Sequence, residues 1–229
     1  MLFIEPKYKD LTVEQLKTTI RSCIREINKA KKTLETISCI LINIEDAEAS
    51  LWVNREFKEE AIRELESRGI AYEYTKKELK AKEFQEKLPM LKKITIEAGD
   101  EEPKGLYTVI FDNQKAYVYD YIIHCIDYDV PTNLPTRKAE KNKIIKVIDK
   151  EYVIKEIEKL YIGEWKNSYP NKSCSHNEES STKKWDWRIK FAYSDGMQKT
   201  FSGIDEPYNF YDFIEIFELL DLIWQDDEE

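Results

Sequence analysis

Trp185-Asp186-Trp187-Arg188-Ile189-Lys190-Phe191-Ala192-Tyr193-Ser194-Asp195-Gly196-Met197-Gln198-Lys199-Thr200-Phe201 is the stretch that decides the fold of the last third of this chain. Trp185, Trp187, Ile189, Phe191 and Tyr193 recur at period two, with Asp186, Arg188, Lys190 and Ala192 between them. Successive side chains of a strand point to opposite faces, so the pattern predicts a strand with one aromatic, buried face. Two turns can follow. A two-residue Asp195-Gly196 turn pairs Lys190 with Phe201 and puts Phe201 on the polar face. A three-residue Ser194–Gly196 loop, with Gly196 left-handed, pairs Tyr193 with Met197 and Ile189 with Phe201. A slip of one residue inverts every side chain, and the second register keeps Met197 and Phe201 with the aromatics, so it is the expected one.

Upstream, Tyr161, Gly163 and Trp165 alternate with Ile162, Glu164 and Lys166, which predicts a half-buried strand before the long polar loop 168–184. Downstream, Gly203 to Pro207 leads to Asn209, a helix N-cap with Asp212 at the third helical position. Phe213, Ile216, Phe217, Leu220, Ile223 and Trp224 then form a helical stripe to cover the hairpin's aromatic face. Burying an aromatic of this size is worth about 2–3 kcal/mol, so this pairing should dominate the local fold.

The residues Trp165, Trp187-x-Ile189-x-Phe191-x-Tyr193-Ser194-Asp195-Gly196, Phe201-x-Gly203, Pro207 and Asn209-Phe210 resemble a C-terminal module found in many uncharacterised bacterial proteins. The likeness covers the C-terminal third and departs from the pattern in the loop 168–184, where that module has a shorter link with its own Asp-Gly. It implies the module's fold and a bacterial or phage origin, and carries no reaction with it.

Near the other end, Thr12 is an N-cap with Gln15 as its capping-box partner. Leu16, Ile20, Cys23, Ile27, Ala30, Leu34, Ile37 and Leu41 follow at alternating spacings of four and three, the seam of a helix that lies along another helix. The partner is either the stretch from Asp46 to Arg68, which stops at Gly69, or a second copy in a homodimeric coiled coil. Ala and Cys in the seam favour the intramolecular hairpin, although one long helix stays open because Ile40 to Ile44 holds no Gly or Pro. Ile70 to Tyr74 alternates as a short strand does, and Thr75 to Leu88 is helix-prone until Pro89. Lys93–Glu97, Leu106–Phe111 and Ala116–Ile123, separated by turns, read as a three-stranded antiparallel meander.

Asp127 to Arg137, with Pro131 and Pro135, is the best linker. From Lys138 to Leu160 the chain is basic and amphipathic, and Asp149 is placed to cap a short helix there. The expected class is α+β: an N-terminal long helix or helical hairpin, a central antiparallel meander, and a C-terminal antiparallel sheet covered by a helix. The expected domains are 1–130 (hairpin and meander), 131–160 (linker and basic amphipathic helix) and 161–229 (hairpin and helix module).

A hydrophobic content of 41% is that of a globular chain, and six glycines leave little room for Gly-rich phosphate loops. The formal net charge of −9 is uneven: from Tyr161 to Glu229 seven Lys and Arg face fifteen Asp and Glu. Such a surface repels phosphate backbones, which argues against nucleic-acid binding and suits a basic protein partner or serves solubility alone. The opening MLFIEPKYKD does not read as a signal peptide, no apolar run reaches membrane-spanning length, and Cys23, Cys39, Cys125 and Cys174 lack paired spacing. A cytoplasmic location is expected, with no membrane association.

Chemistry is sparse. Asp120, His124 and Asp127 would share a helix face and could hold a divalent ion for a hydrolase or nuclease. On a strand, Asp120 and His124 stand about 13 Å apart, too far for one metal. Cys174-Ser175-His176 pairs a thiol with an imidazole, but in a loop without a built oxyanion site. Tyr117, Tyr119 and Tyr121 share a strand face, to stack on a ligand or partner or to pack beneath the N-terminal helices. No catalytic residue and no cofactor is expected. The expected function is protein binding of an inhibitor, immunity or anti-defence type, with Asp205, Glu206, Asp212 and Glu215 as candidate contacts to a basic partner. A metal-dependent hydrolase and a structural oligomer through the Leu16–Leu41 seam are the alternatives.

Overall fold

Thr12 closes the start of α1 (Val13–Leu34) with the expected capping box: the Gln15 N–H donates to Thr12 Oγ1 at 3.3 Å and the Thr12 N–H to Gln15 Oε1 at 2.8 Å. Two donors that a helix start leaves without an intrahelical partner are thereby satisfied. The computed structural model describes residues 8–35, 44–99, 105–121, 143–170 and 185–220. The chain divides into two compact units, Met1–Thr75 and Lys76–Glu229.

In the first unit α1 lies along α2 (Ile44–Ser67) as a helical hairpin. The seam residues Leu16, Ile20, Cys23, Ile27 and Ala30 are buried, as are Ala47, Leu51, Ala61, Ile62 and Leu65 of α2. The described part of the seam is therefore filled from within the chain, and Ile37 and Leu41 lie outside the described residues. Gly69 ends α2 at φ +76°, with the Ile70 N–H donating to Leu65 O at 3.1 Å and the Gly69 N–H to Glu66 O at 2.9 Å, a Schellman closure. The Arg68 guanidinium donates to the carbonyls of Tyr8, Lys9 and Leu11 and to Glu64, which ties the entry turn to the end of α2. The alternation in Ile70–Tyr74 predicts a strand, but no strand forms there. Ile70, Tyr72 and Tyr74 instead pack on the hairpin's core without joining a β-ladder.

The second unit begins with α3 (Lys76–Lys87), and Pro89 sits in a 3-10 turn before β1 (Leu91–Gly99). β2 (Gly105–Phe111), β3 (Lys115–Tyr121), β4 (Lys143–Asp149), α4 (Lys150–Lys159), β5 (Ser168–Tyr169), β6 (Asp186–Tyr193), β7 (Gln198–Gly203) and α5 (Phe210–Glu215) follow. The strands form one sheet in the order β4-β3-β2-β1-β6-β7-β5, antiparallel except for the β5–β7 pair. The class is α+β, with the expected N-terminal helices and mostly antiparallel sheet.

The β6–β7 hairpin has the expected register: Ile189 pairs with Phe201, the Tyr193 N–H donates to Met197 O at 3.0 Å, and Gly196 has φ +82°. Phe201 is fully buried, whereas Met197, at the turn end of the hairpin, is exposed.

Several expectations are corrected. β1 pairs with β2 on one side and β6 on the other, setting Ile94 beside Phe191 and Ile96 beside Ile189. Meander and C-terminal hairpin are thus one sheet, and the boundaries 1–130, 131–160 and 161–229 give way to a division after Thr75. The basic amphipathic stretch Lys138–Leu160 is not helical throughout its described part, because residues 143–149 form β4. The β-branched run Ile144-Ile145-Lys146-Val147-Ile148 suits a strand and pairs with β3, and the helix starts only at Lys150. Asp149 does cap that helix, accepting from the Tyr152 N–H at 2.9 Å.

Tyr161 to Lys166 is not a strand either. Tyr161 is left-handed at φ 52° and Ile162–Glu164 form a 3-10 turn. Gly163 explains the change: a Cβ there would lie 2.7 Å from Ala81 O, so only glycine lets this turn seat against α3. The covering helix is shorter than its apolar stripe predicts, because Glu218 turns left-handed at φ 54° just beyond α5. Phe217 and Leu219 remain buried on either side of that turn, and Ile223 and Trp224 lie outside the described residues.

The core lies on one face of the sheet. Phe84 of α3 meets Phe191 edge-on at 5.1 Å, and Trp165 meets Phe201 at 5.5 Å and Phe213 at 5.9 Å.

Candidate interaction surface

The residues singled out for chemistry do not assemble into a catalytic site. Asp120 sits on β3, paired across the ladders with Tyr107 and Lys143. Partial burial raises its carboxyl above the usual range, and Lys143 pulls it back. Burial and the nearby Asp120 charge push the Tyr107 hydroxyl up to about 12. His124 and Asp127, like Cys174 and His176, lie outside the described residues. Among the described residues no group of three or more His, Cys, Asp or Glu side chains is placed to hold a metal ion. No helix among them is long and apolar enough to cross a membrane.

The four acidic candidates lie just before α5 and along it, with different surroundings. The Asp205 carbonyl accepts from Trp187 Nε1 at 3.1 Å. Burial raises the Glu206 carboxyl, which accepts the Tyr211 hydroxyl proton, and the surrounding protein raises Asp212 as well. Glu215 is exposed. Asp205 and Glu206 are half-buried, so two of the four are partly withdrawn from water.

A better surface emerges from the sheet face opposite the core. β2 and β3 bury Val109, Ala116 and Val118 on one side, which turns Ile110, Tyr117 and Tyr119 to the other. Ile110 pairs with Tyr117 across the β2–β3 ladder. A bulge in the β3–β4 ladder falls between Val118 and Tyr119, so Tyr119 faces Ile144 and Tyr117 faces Val147. Five apolar and aromatic side chains from three strands thus form one continuous patch. Three of them are well exposed: Ile110 at 38%, Ile144 at 48% and Val147 at 47%.

Local hydrogen bonds hold this patch in shape. The Tyr117 hydroxyl donates to Asp112 Oδ2 at 3.1 Å, while Asp112 Oδ1 accepts from the N–H groups of Gln114 and Lys115 at 2.8 and 2.7 Å. Those backbone N–H groups hold the Asp112 carboxyl below its usual range. Beside the patch, a groove of about 820 Å³ is lined in part by Gln114, Val147, Ile148, Lys150 and Ile154.

β4 is also an edge of the sheet, so its outer row of N–H and C=O groups has no neighbouring strand among the described residues. Lys143 and Lys146 punctuate that edge, and Lys146 is paired with Glu218. Sequence reading found the tyrosines of β3 but placed Ile144 and Val147 on a helix. The signal for the patch was the β-branched content of 144–148.

No family model, no curated protein and no solved structure matches this chain.

Proposed function

We propose that this protein acts by binding another protein through the β2–β3–β4 patch and the adjoining β4 edge, in an inhibitor, immunity or anti-defence role. The observation that carries the reading is the continuity of Ile110, Tyr117, Tyr119, Ile144 and Val147 on one face beside a strand edge that has no neighbouring strand among the described residues. Single exposed apolar residues are ordinary, but a contiguous apolar patch rimmed by polar groups marks an interaction surface. Tyrosine suits such a surface because it offers a large, stiff contact area with a polar tip. A partner that lays a strand along β4 gains main-chain hydrogen bonds, and the patch then selects its side chains.

A photo-crosslinking residue at position 147, compared with one at Lys82 on α3, tests this in the cell of origin. A discrete crosslinked partner is expected from position 147 alone, and the pair Ile110→Lys with Ile144→Lys, added to the chain that carries the crosslinker, should abolish it. Equal crosslinking from both positions, or none from position 147, sinks the reading. A crosslink to a second copy of the chain would assign the patch to self-association instead.

A further inference from the structure

The N-terminal hairpin carries a second surface of different chemistry, independent of the sheet-edge reading. α2 buries Ala47, Leu51, Ala61, Ile62 and Leu65 against its own unit. Its opposite face presents Glu45, Glu48, Trp52, Glu56, Glu59 and Glu60, every one of them exposed. Trp52 is 60% exposed, the most open of the large apolar side chains among the described residues. Glu48, Trp52, Glu56 and Glu60 succeed each other at four-residue intervals, so they line one stripe along the helix. Arg63 continues this face, and Glu48 and Glu59 also interact within the protein, so Glu45, Glu56 and Glu60 carry the argument beside Trp52.

Both features run against stability. Like charges one turn apart, as in Glu56 and Glu60, destabilise a helix, and a tryptophan left in water forgoes the burial its large ring would gain. Neither feature serves the hairpin core. Each makes sense with an occupant that carries positive charge and a place for an indole.

We propose that this face of α2 docks a basic protein surface, with the Trp52 ring under an arginine or lysine and the flanking carboxylates paired with its neighbours. Tryptophan is the best side chain for holding a cation over its ring, and it is enriched among the residues that dominate interface energies. The row of glutamates steers a basic partner in and turns away nucleic acid, anionic lipid and a second copy of the same acidic face. The carboxylates supply the attraction and Trp52 supplies the anchor.

The test uses the full chain and a fluorescent synthetic helical peptide with an arginine–leucine face, alongside the same peptide with citrulline for arginine. Anisotropy titrations are run at low and high salt. The arginine peptide should bind with an affinity that falls as salt rises, and the citrulline peptide at least tenfold more weakly. Trp52→Ala should lose about tenfold or more, as an anchor residue does. The set Glu45→Gln, Glu56→Gln and Glu60→Gln should lose a similar amount and flatten the salt dependence. It keeps the proposal testable should Trp52→Ala disturb the fold.

Ile144→Lys with Val147→Lys should leave this binding unchanged, which separates the α2 surface from the sheet-edge surface. Equal binding of the two peptides, or none at all, overturns the proposal. So does wild-type affinity in Trp52→Ala, which would reduce the face to diffuse attraction. A dimer in light scattering that Trp52→Ala converts to monomer also overturns it, by showing that a second copy covers the ring.

Discussion

Trp165 Nε1 donates to Asn209 Oδ1 at 2.7 Å inside the core of the second unit, and the Asn209 amide donates in turn to the carbonyl of Leu160. Asn209 was expected as the N-cap of α5, and it does hold that position, but its side chain makes no capping bond. It joins the end of α4, the 3-10 turn that follows and the start of α5 through one buried amide.

Replacing Asn209 with Ala should therefore orphan a buried indole N–H and a buried carbonyl together. The expected cost is about 1–3 kcal/mol, since a desolvated polar group left unpaired loses its water without compensation. Asn209→Asp keeps the acceptor for Trp165 but sets a carboxylate against Leu160 O. It should be unstable at neutral pH and recover in part as acid protonates the carboxyl. Urea unfolding followed by tryptophan fluorescence checks both variants, and wild-type midpoints in both would refute the network.

Gly163 makes a second prediction. An added methyl would meet Ala81 O at 2.7 Å and Ala81 Cα at 2.9 Å, both backbone atoms of α3 that cannot rotate away. Gly163→Ala should cost about 1–3 kcal/mol by overpacking. Gly196→Ala offers a contrast, because a Cβ there meets nothing within 4 Å and the cost is only that of φ +82°. The comparison is made by thermal melts of the two variants side by side.

Glu206 should govern part of the pH dependence. Burial raises its folded carboxyl above the unfolded value, so the folded state binds this proton more tightly. Stability from this group therefore grows as pH falls through the folded value, and at neutral pH the ionised form carries a penalty. Glu206→Gln keeps an acceptor for the Tyr211 hydroxyl and removes the charge. It should raise the unfolding midpoint at pH 7, and the advantage over wild type should vanish in acid. A pH series of denaturant melts measures it, and a destabilised Gln variant at pH 7 would contradict the assignment.

Thr12→Ala removes one half of a reciprocal cap on α1. About 1 kcal/mol should be lost from the hairpin. Faster amide hydrogen exchange in the first turn, at Gln15 above all, is the readout. Unchanged exchange there would mean that packing of the seam alone sets the start of the helix.

Local patterns in the chain were enough to determine the elements whose cause is local. The period-two aromatics of 185–193 and the length of the Ser194–Gly196 loop determined the β6–β7 register, because one slip would have exposed the whole face. The Leu16–Ala30 spacing, Thr12 and Gly69 likewise determined a capped helix with a packing seam, while the choice of α2 as its partner was left to the fold. What the tertiary structure alone decided was every pairing between distant segments: β1 beside β6, β4 beside β3, and Asn209 diverted from its cap to Trp165. Ile144 to Ile148 satisfies a helix stripe and a strand equally well in isolation, and only the free edge of β3 selects the strand. The same holds for the two candidate surfaces. A row of glutamates around Trp52 and an apolar run at 144–148 can be read as letters, but whether a side chain is covered depends on which neighbours the whole fold brings over it.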